Sequence, residues 1–392
     1  MISLLRETFN TRYRPEHYAK FQLLLTEKCG MEVPFRNCET PCFFPRPLIE
    51  KMATYGQELI EQVLNNADYL SRAGKMIPSA FRVPNVDAQP LFVQADFGID
   101  EAGEPKLVEI QGFPSLYAYQ PTLAACYREA YALDEILPDP NPFLSGLNEE
   151  TYFAKLQQTL LGGHLPENVI LLEIQPETQK TRPDFLLTEK MTGVKTVCLT
   201  DLVSQGNRLF YREKGKLIPV ERIYNRVIVD ELSRKEIAPI FDFKREYEVE
   251  WAGHPDWFYL LSKFSLPFFD HVCVPKTQFL SEILQTPDAL ENYVLKPLFS
   301  FAGQGVTVSP THEQVNSVSD PENWILQEKV EFVPIVETPY GKTKVEIRVM
   351  YLCEEAKPLP VTVLIRMGRG TMMGVDQNRE QRWVGASAGF MI

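Results

Sequence analysis

Five short stretches of this chain hold residues whose types and spacing could handle a phosphorylated substrate and a hard cation. The first contains Asp96, Glu109 and Gln111. Residues two apart on a strand share a face, so Glu109 and Gln111 point the same way. A hairpin turn centred near Ala102 and Gly103 would set Asp96 opposite Glu109, and three oxygen donors would converge. Mg²⁺ favours such donors and keeps water and phosphate oxygens in its remaining positions. A solvated polar hairpin face is the competing reading. The apolar neighbours of Glu109 and Gln111 bring the two readings level.

The second stretch runs from Lys296 to Val306 and delivers a lysine, then Gly303 and Gly305. Glycines let backbone N–H groups approach phosphate oxygens, and the lysine adds a point charge. The lysine precedes the glycines, so this is not a Walker A loop. Alone, the pattern is better read as a turn with an exposed lysine. The third, Ile325 to Val330, is a strand that could sandwich a purine, although by itself an ordinary half-buried strand is the better reading. In the fourth, Glu346 and Arg348 share a strand face, as ligand-binding groups or as a structural ion pair. The fifth is the scatter of Arg226, Arg366 and Arg369, a residue type suited to carboxylates and phosphates that spacing alone does not select.

These residues need elements to position them. Residues 50–73 show helical spacing of Met52, Tyr55, Leu59, Val63 and Ala67, with Gly74 as the closing residue. Leu91–Phe97 and Lys106–Gln111 form a hairpin around turn residues 98–104. Pro121 opens a helix to about Leu133. After the proline-rich linker at 137–142, Val169–Glu173 and Thr196–Leu199 read as buried strands of a small α/β unit. Strands follow over 208–229, with the tip at Lys214 to Lys216, and again at 293–297, 324–330, 344–352 and 359–365. The tail from Met367 reads as a mobile loop.

The chain has 392 residues, room for two or three packed units. A net charge of -12 argues against nucleic acid as the main partner. Seven cysteines in a chain of this size suggest reduced thiols and a cytoplasmic location. Cys29, Cys38 and Cys42 lie near His17 but lack C-x2-C spacing, so plain thiols are favoured over a zinc site. No apolar run reaches membrane-span length, and the first residues do not read as a secretion signal.

Taken in order, the motifs resemble the ATP-grasp superfamily, and within it eukaryotic-type glutathione synthetase and the synthetase domain of glutathionylspermidine synthase. There the acidic strand comes early and the phosphate-binding lysine late, as here. The resemblance covers roughly residues 80–392. It implies an α/β (α+β) fold: residues 1–140 as a helical N-terminal layer plus the metal-binding hairpin, 150–240 as an α/β substrate-side domain, and 241–392 as the nucleotide-binding region. It implies Asp96, Glu109 and Gln111 as Mg²⁺ ligands, and Lys276, Lys296, Gly303 and Gly305 as ATP phosphate contacts. Gln327, Glu328, Lys329 and Val330 become the adenine hinge and Glu346 the ribose neighbour. Arg226 and Ser115 face substrate, Arg366 lies near the second substrate, and Lys296, Arg226 and Arg366 carry catalysis.

The implied activity is ATP-dependent ligation of a small-molecule carboxylate to an amine through an acyl phosphate, with segments 300–305 and 368–374 as lid. A homodimer is compatible with it. Gln94, Gln111 and Ser300 depart from the family pattern, where arginine, asparagine and a charged residue are common. They keep open a nucleotide binder without ligase activity, or a phosphotransferase.

Overall fold

The computed structural model describes residues 1–137, 139–228, 231–232, 235, 242–300, 303–354, 357–370, 373 and 380–392. Helices and strands are mixed, as an α/β chain requires. The strands are β1 (Cys42–Phe44), β2 (Phe92–Ile99), β3 (Pro105–Gln111), β4 (Val169–Glu173), β5 (Lys195–Cys198) and β6 (Val203–Gln205). Next come β7 (Arg208–Glu213), β8 (Lys216–Val220), β9 (Arg222–Asn225), β10 (Glu250–Ala252), β11 (Thr277–Phe279) and β12 (Tyr293–Pro297). The last are β13 (Thr307–Val308), β14 (Trp324–Glu328), β15 (Lys344–Glu354), β16 (Lys357–Gly368) and β17 (Gly385–Met391). Helices α1 (Ser3–Arg12), α2 (Pro15–Cys29), α3 (Arg46–Leu64), α4 (Ala67–Lys75), α5 (Tyr119–Ala130), α6 (Glu149–Leu161) and α7 (Arg182–Thr192) complete the frame.

A six-stranded sheet in the order β1-β17-β16-β15-β2-β3 forms the centre. Every residue of β2 is buried, so both faces of this sheet are covered there. Ala95 and Phe97 enter the core shared with α3, whereas Phe92 joins the core built with α6. The hairpin β2–β3 pairs Asp96 with Glu109 and Gln94 with Gln111, the register expected from the turn. Beyond that pair the ladder shifts: Phe97 faces Leu107, and Val108 is the extra residue. Such a bulge turns one peptide out of the ladder.

The second sheet, β10-β9-β4-β5, is parallel throughout. One of its two inner strands, β4, is apolar from Val169 to Leu172, as burial on both faces demands. Leu156, Leu160 and Phe185 of α6 and α7 pack on one face, and Leu209, Tyr211 and Val220 of the small β6-β7-β8 sheet on the other. The fourth sheet, β11-β14-β12-β13, is antiparallel.

Three sequence expectations are corrected. The helix over 50–73 is two helices, because Asn66 restarts the chain by accepting a hydrogen bond from the Tyr69 amide at 2.9 Å. Gly74 therefore lies inside α4 rather than closing it. The tail from Met367 is not loop throughout, since 385–391 form β17, buried between β1 and β16. Its small residues are there for close packing: a Cβ on Gly389 would lie 2.9 Å from the Val363 side chain. Residues 371–372 and 374–379 of that tail lie outside the described residues.

Candidate functional site

Side chains at paired positions stand on one face of a sheet. Arg348 of β15 sits opposite Asp96, Asp96 opposite Glu109, and Glu346 opposite Arg366 of β16. Five charged side chains from four neighbouring strands thus meet on one face. Arg348 grips Asp96 with both arms of its fork, Nε to Oδ1 at 2.5 Å and Nη2 to Oδ2 at 2.6 Å. Arg366 donates to the same Oδ2 at 3.1 Å and also to Glu346. The Gln94 carbonyl accepts from Arg348 at 2.8 Å, and the Gln111 amide lies against Gln94 at 3.0 Å.

Burial pushes the Asp96 carboxyl up, but Arg348 and Arg366 overrule it and hold it at about 2. Glu109 is lowered despite burial, chiefly by Lys263. Glu346 goes the other way, because burial outweighs its pairing with Arg366.

The opposite wall comes from β12 and β14. Lys296 is buried and crosses to the hairpin, donating to the Val108 carbonyl at 3.1 Å. That carbonyl belongs to the bulged residue, so the bulge supplies the acceptor. Lys296 also donates to Gln327 at 2.6 Å, and Gln327 in turn donates to Thr277 at 3.0 Å. Burial depresses the Lys296 ammonium to about 8, which leaves it mostly protonated at pH 7. Phosphate groups beside it would push that value back up.

Lys263 is the residue that sequence reasoning missed. It donates to the Ser300 carbonyl at 2.8 Å and pairs with Glu109 at 3.3 Å. It opens a short 3-10 segment, Lys263–Phe268, where no periodicity marks it. Glu109, Gln111, Phe258, Lys263, Phe299 and Ser300 line one cleft. Lys276, the expected second nucleotide lysine, has a side chain 87% exposed and lies 4.0 Å from Glu328 at the rim. Gly303 and Gly305 have φ of 74° and 73°, the left-handed region glycine tolerates. Phe301 and Ala302 lie outside the described residues. β14 ends at Glu328, so Lys329 and Val330 lie beyond the strand that was expected to run to 330, and the Lys329 ammonium pairs with Glu331 at 2.9 Å.

Arg226 does not join this cluster. It follows β9 at the carboxyl end of the parallel sheet, 3% exposed, between the rings of Phe113 and Phe185 at 5.3 and 5.5 Å. Among the described residues its Nε and Nη1 have no hydrogen-bond partner. The link to the charged face is the loop after β3, which carries Phe113 and Ser115. The Ser115 carbonyl accepts from Gln94 at 2.7 Å.

The expected Mg²⁺ ligands can be compared with this donor set. Both Asp96 oxygens already accept guanidinium hydrogen bonds, and a cation coordinated there would have to displace them. Among the described residues no group of three His, Cys, Asp or Glu side chains is placed to share a metal. A three-ligand site on Asp96, Glu109 and Gln111 does not fit the residues as they stand. Cys29, Cys38 and Cys42 are buried free thiols.

No family model matches the chain, and no curated protein matches it. Among 22 solved chains that match is the apo structure of a glutathione synthetase-like effector from Globodera pallida. It has a TM-score of 0.58 and 14% identity, and the match covers 96% of each chain. The chain therefore has a glutathione synthetase-like fold. Among the described residues no helix is long and apolar enough to cross a membrane.

Proposed function

We propose that this chain binds ATP in an ATP-grasp cleft between β3 and β12 and uses it to join a carboxylate to an amine, releasing ADP and phosphate. The observation that carries this reading is the reach of Lys296 from β12 to the Val108 carbonyl, beside Glu109. It places a buried cation between a charged sheet face and a strand, β14, able to read an adenine edge. In this reading the base lies along Gln327 to Val330, and Lys296 and Lys263 meet the phosphates. Arg366 steadies charge on the transferring group, and Arg226 holds a carboxylate of the acceptor.

The acid attacks the γ-phosphorus to give an acyl phosphate, and the amine displaces phosphate to give the amide. The chain's part is alignment and exclusion of water, since an acyl phosphate hydrolyses readily. ADP release over pooled acids and amines tests the proposal. Turnover should appear with one pair and be nearly abolished in Lys296→Ala; wild-type turnover in that variant would remove Lys296 from the site.

The guanidinium grip on Asp96 favours a second reading, a nucleotide binder without turnover. ATP-dependent thermal stabilisation with no ADP formed over the whole panel would select it.

A further inference from the structure

The misfit between the expected metal ligands and their neighbours has one centre, the Arg348 guanidinium. It meets all three of those residues. Nε and Nη2 hold the two Asp96 oxygens at 2.5 and 2.6 Å. Nη2 also stands 3.7 Å from a Glu109 oxygen. Nη1 and Nη2 lie 3.0 and 3.1 Å from the Gln111 amide, spacings at which its oxygen, turned inward, accepts both. A guanidinium therefore stands where three oxygen donors converge, the place a hard cation would take.

The sheet builds this position. Arg348 and Asp96 are register partners on β15 and β2, so both side chains leave the sheet on one face. Arg348 is 6% exposed, and its remaining arm, Nη1, donates to Gln94 at 2.8 Å. Gln94 in turn donates to the Ser115 carbonyl at 2.7 Å. A buried guanidinium held through every arm does not yield to a cation without stranding its own donors. Charge favours the same outcome. Asp96, Glu109 and Glu346 face Arg348, Arg366, Lys263 and Lys296, and the cations outnumber the carboxylates. Such a patch opposes a divalent cation and attracts a polyphosphate directly.

We infer that Arg348 is a built-in cation filling the place of a divalent metal ion, so that this cleft binds a nucleoside triphosphate without any metal held by the chain. The nucleotide half rests on the ATP reading of the cleft; the metal half stands without it.

Mn²⁺ is the probe for the metal half, followed by the electron paramagnetic signal of the free ion. Wild type and Glu109→Gln should take up Mn²⁺ equally through the millimolar range. Arg348→Met, once shown folded by circular dichroism, should bind an additional ion, and adding Glu109→Gln should abolish it. Greater uptake by wild type than by Glu109→Gln overturns the inference, as does a folded Arg348→Met chain that gains no ion. Should that variant not fold, the comparison of wild type with Glu109→Gln decides alone. Calorimetric titration of ATP covers the nucleotide half. Affinity in EDTA should match that in excess Mg²⁺ within about threefold, and a larger loss in EDTA overturns it. ATP bound in neither solution removes the nucleotide reading and the half built on it, while the Mn²⁺ result stands on its own.

Discussion

The face of the central sheet and the end of the parallel sheet handle buried charge in opposite ways. On the first, Asp96, Glu346, Arg348 and Arg366 satisfy one another across β2, β15 and β16. At the second, Arg226 Nε and Nη1 have no partner among the described residues. A closed network gives rigidity to whatever lies above it, whereas an open group leaves buried donors unsatisfied. The difference follows from register. Charges placed opposite each other in an antiparallel ladder meet without a ligand, and Arg226 lies beyond the last paired residue of β9.

Breaking the closed network should have the largest effect. Arg348→Met leaves Asp96 buried with only Arg366, and chemical denaturation should show a loss of about 3–5 kcal/mol. A loss below about 1 kcal/mol would mean that Asp96 does not depend on its fork. The pH dependence sharpens the same point. Asp96 has its carboxyl held at about 2 against an unfolded value near 3.9, so the folded state binds the proton less readily. Its contribution, about 2–3 kcal/mol, should be complete above pH ~4 and disappear as pH falls through ~2. Stability of wild type minus Asp96→Asn, measured across that range, should shrink accordingly, and a flat difference would contradict the pairing.

The smallest effect is expected at the open end. Arg226→Met removes an orphaned guanidinium rather than a partner, so stability should stay within about 1 kcal/mol or rise. A loss comparable to that of Arg348→Met would show that the two regions are built alike.

Much of this contrast could not be read from the chain. The hairpin was legible because the turn at Ala102–Gly103 counts residues locally, which placed Asp96 against Glu109. The grip of Arg348 on Asp96 depends on pairing between β2 and β15, residues about 250 apart, and nothing local encodes it. Lys263 was hidden for a related reason. Its value comes from the Ser300 carbonyl and Glu109, brought to it by two other elements. Lys276 had the better motif but points outward beside Glu328. Strand β17 was missed because Gly385, Ala386, Ser387, Ala388 and Gly389 resemble loop composition. Their size is what lets the strand lie against Val363 and Ile365.

The proposed nucleotide position can be checked by a crystal structure with a non-hydrolysable ATP analogue. The triphosphate should lie within hydrogen-bond reach of Lys296 and Lys263, with the base along Gln327 to Val330. An analogue bound elsewhere, or an empty cleft at saturating concentration, would contradict it.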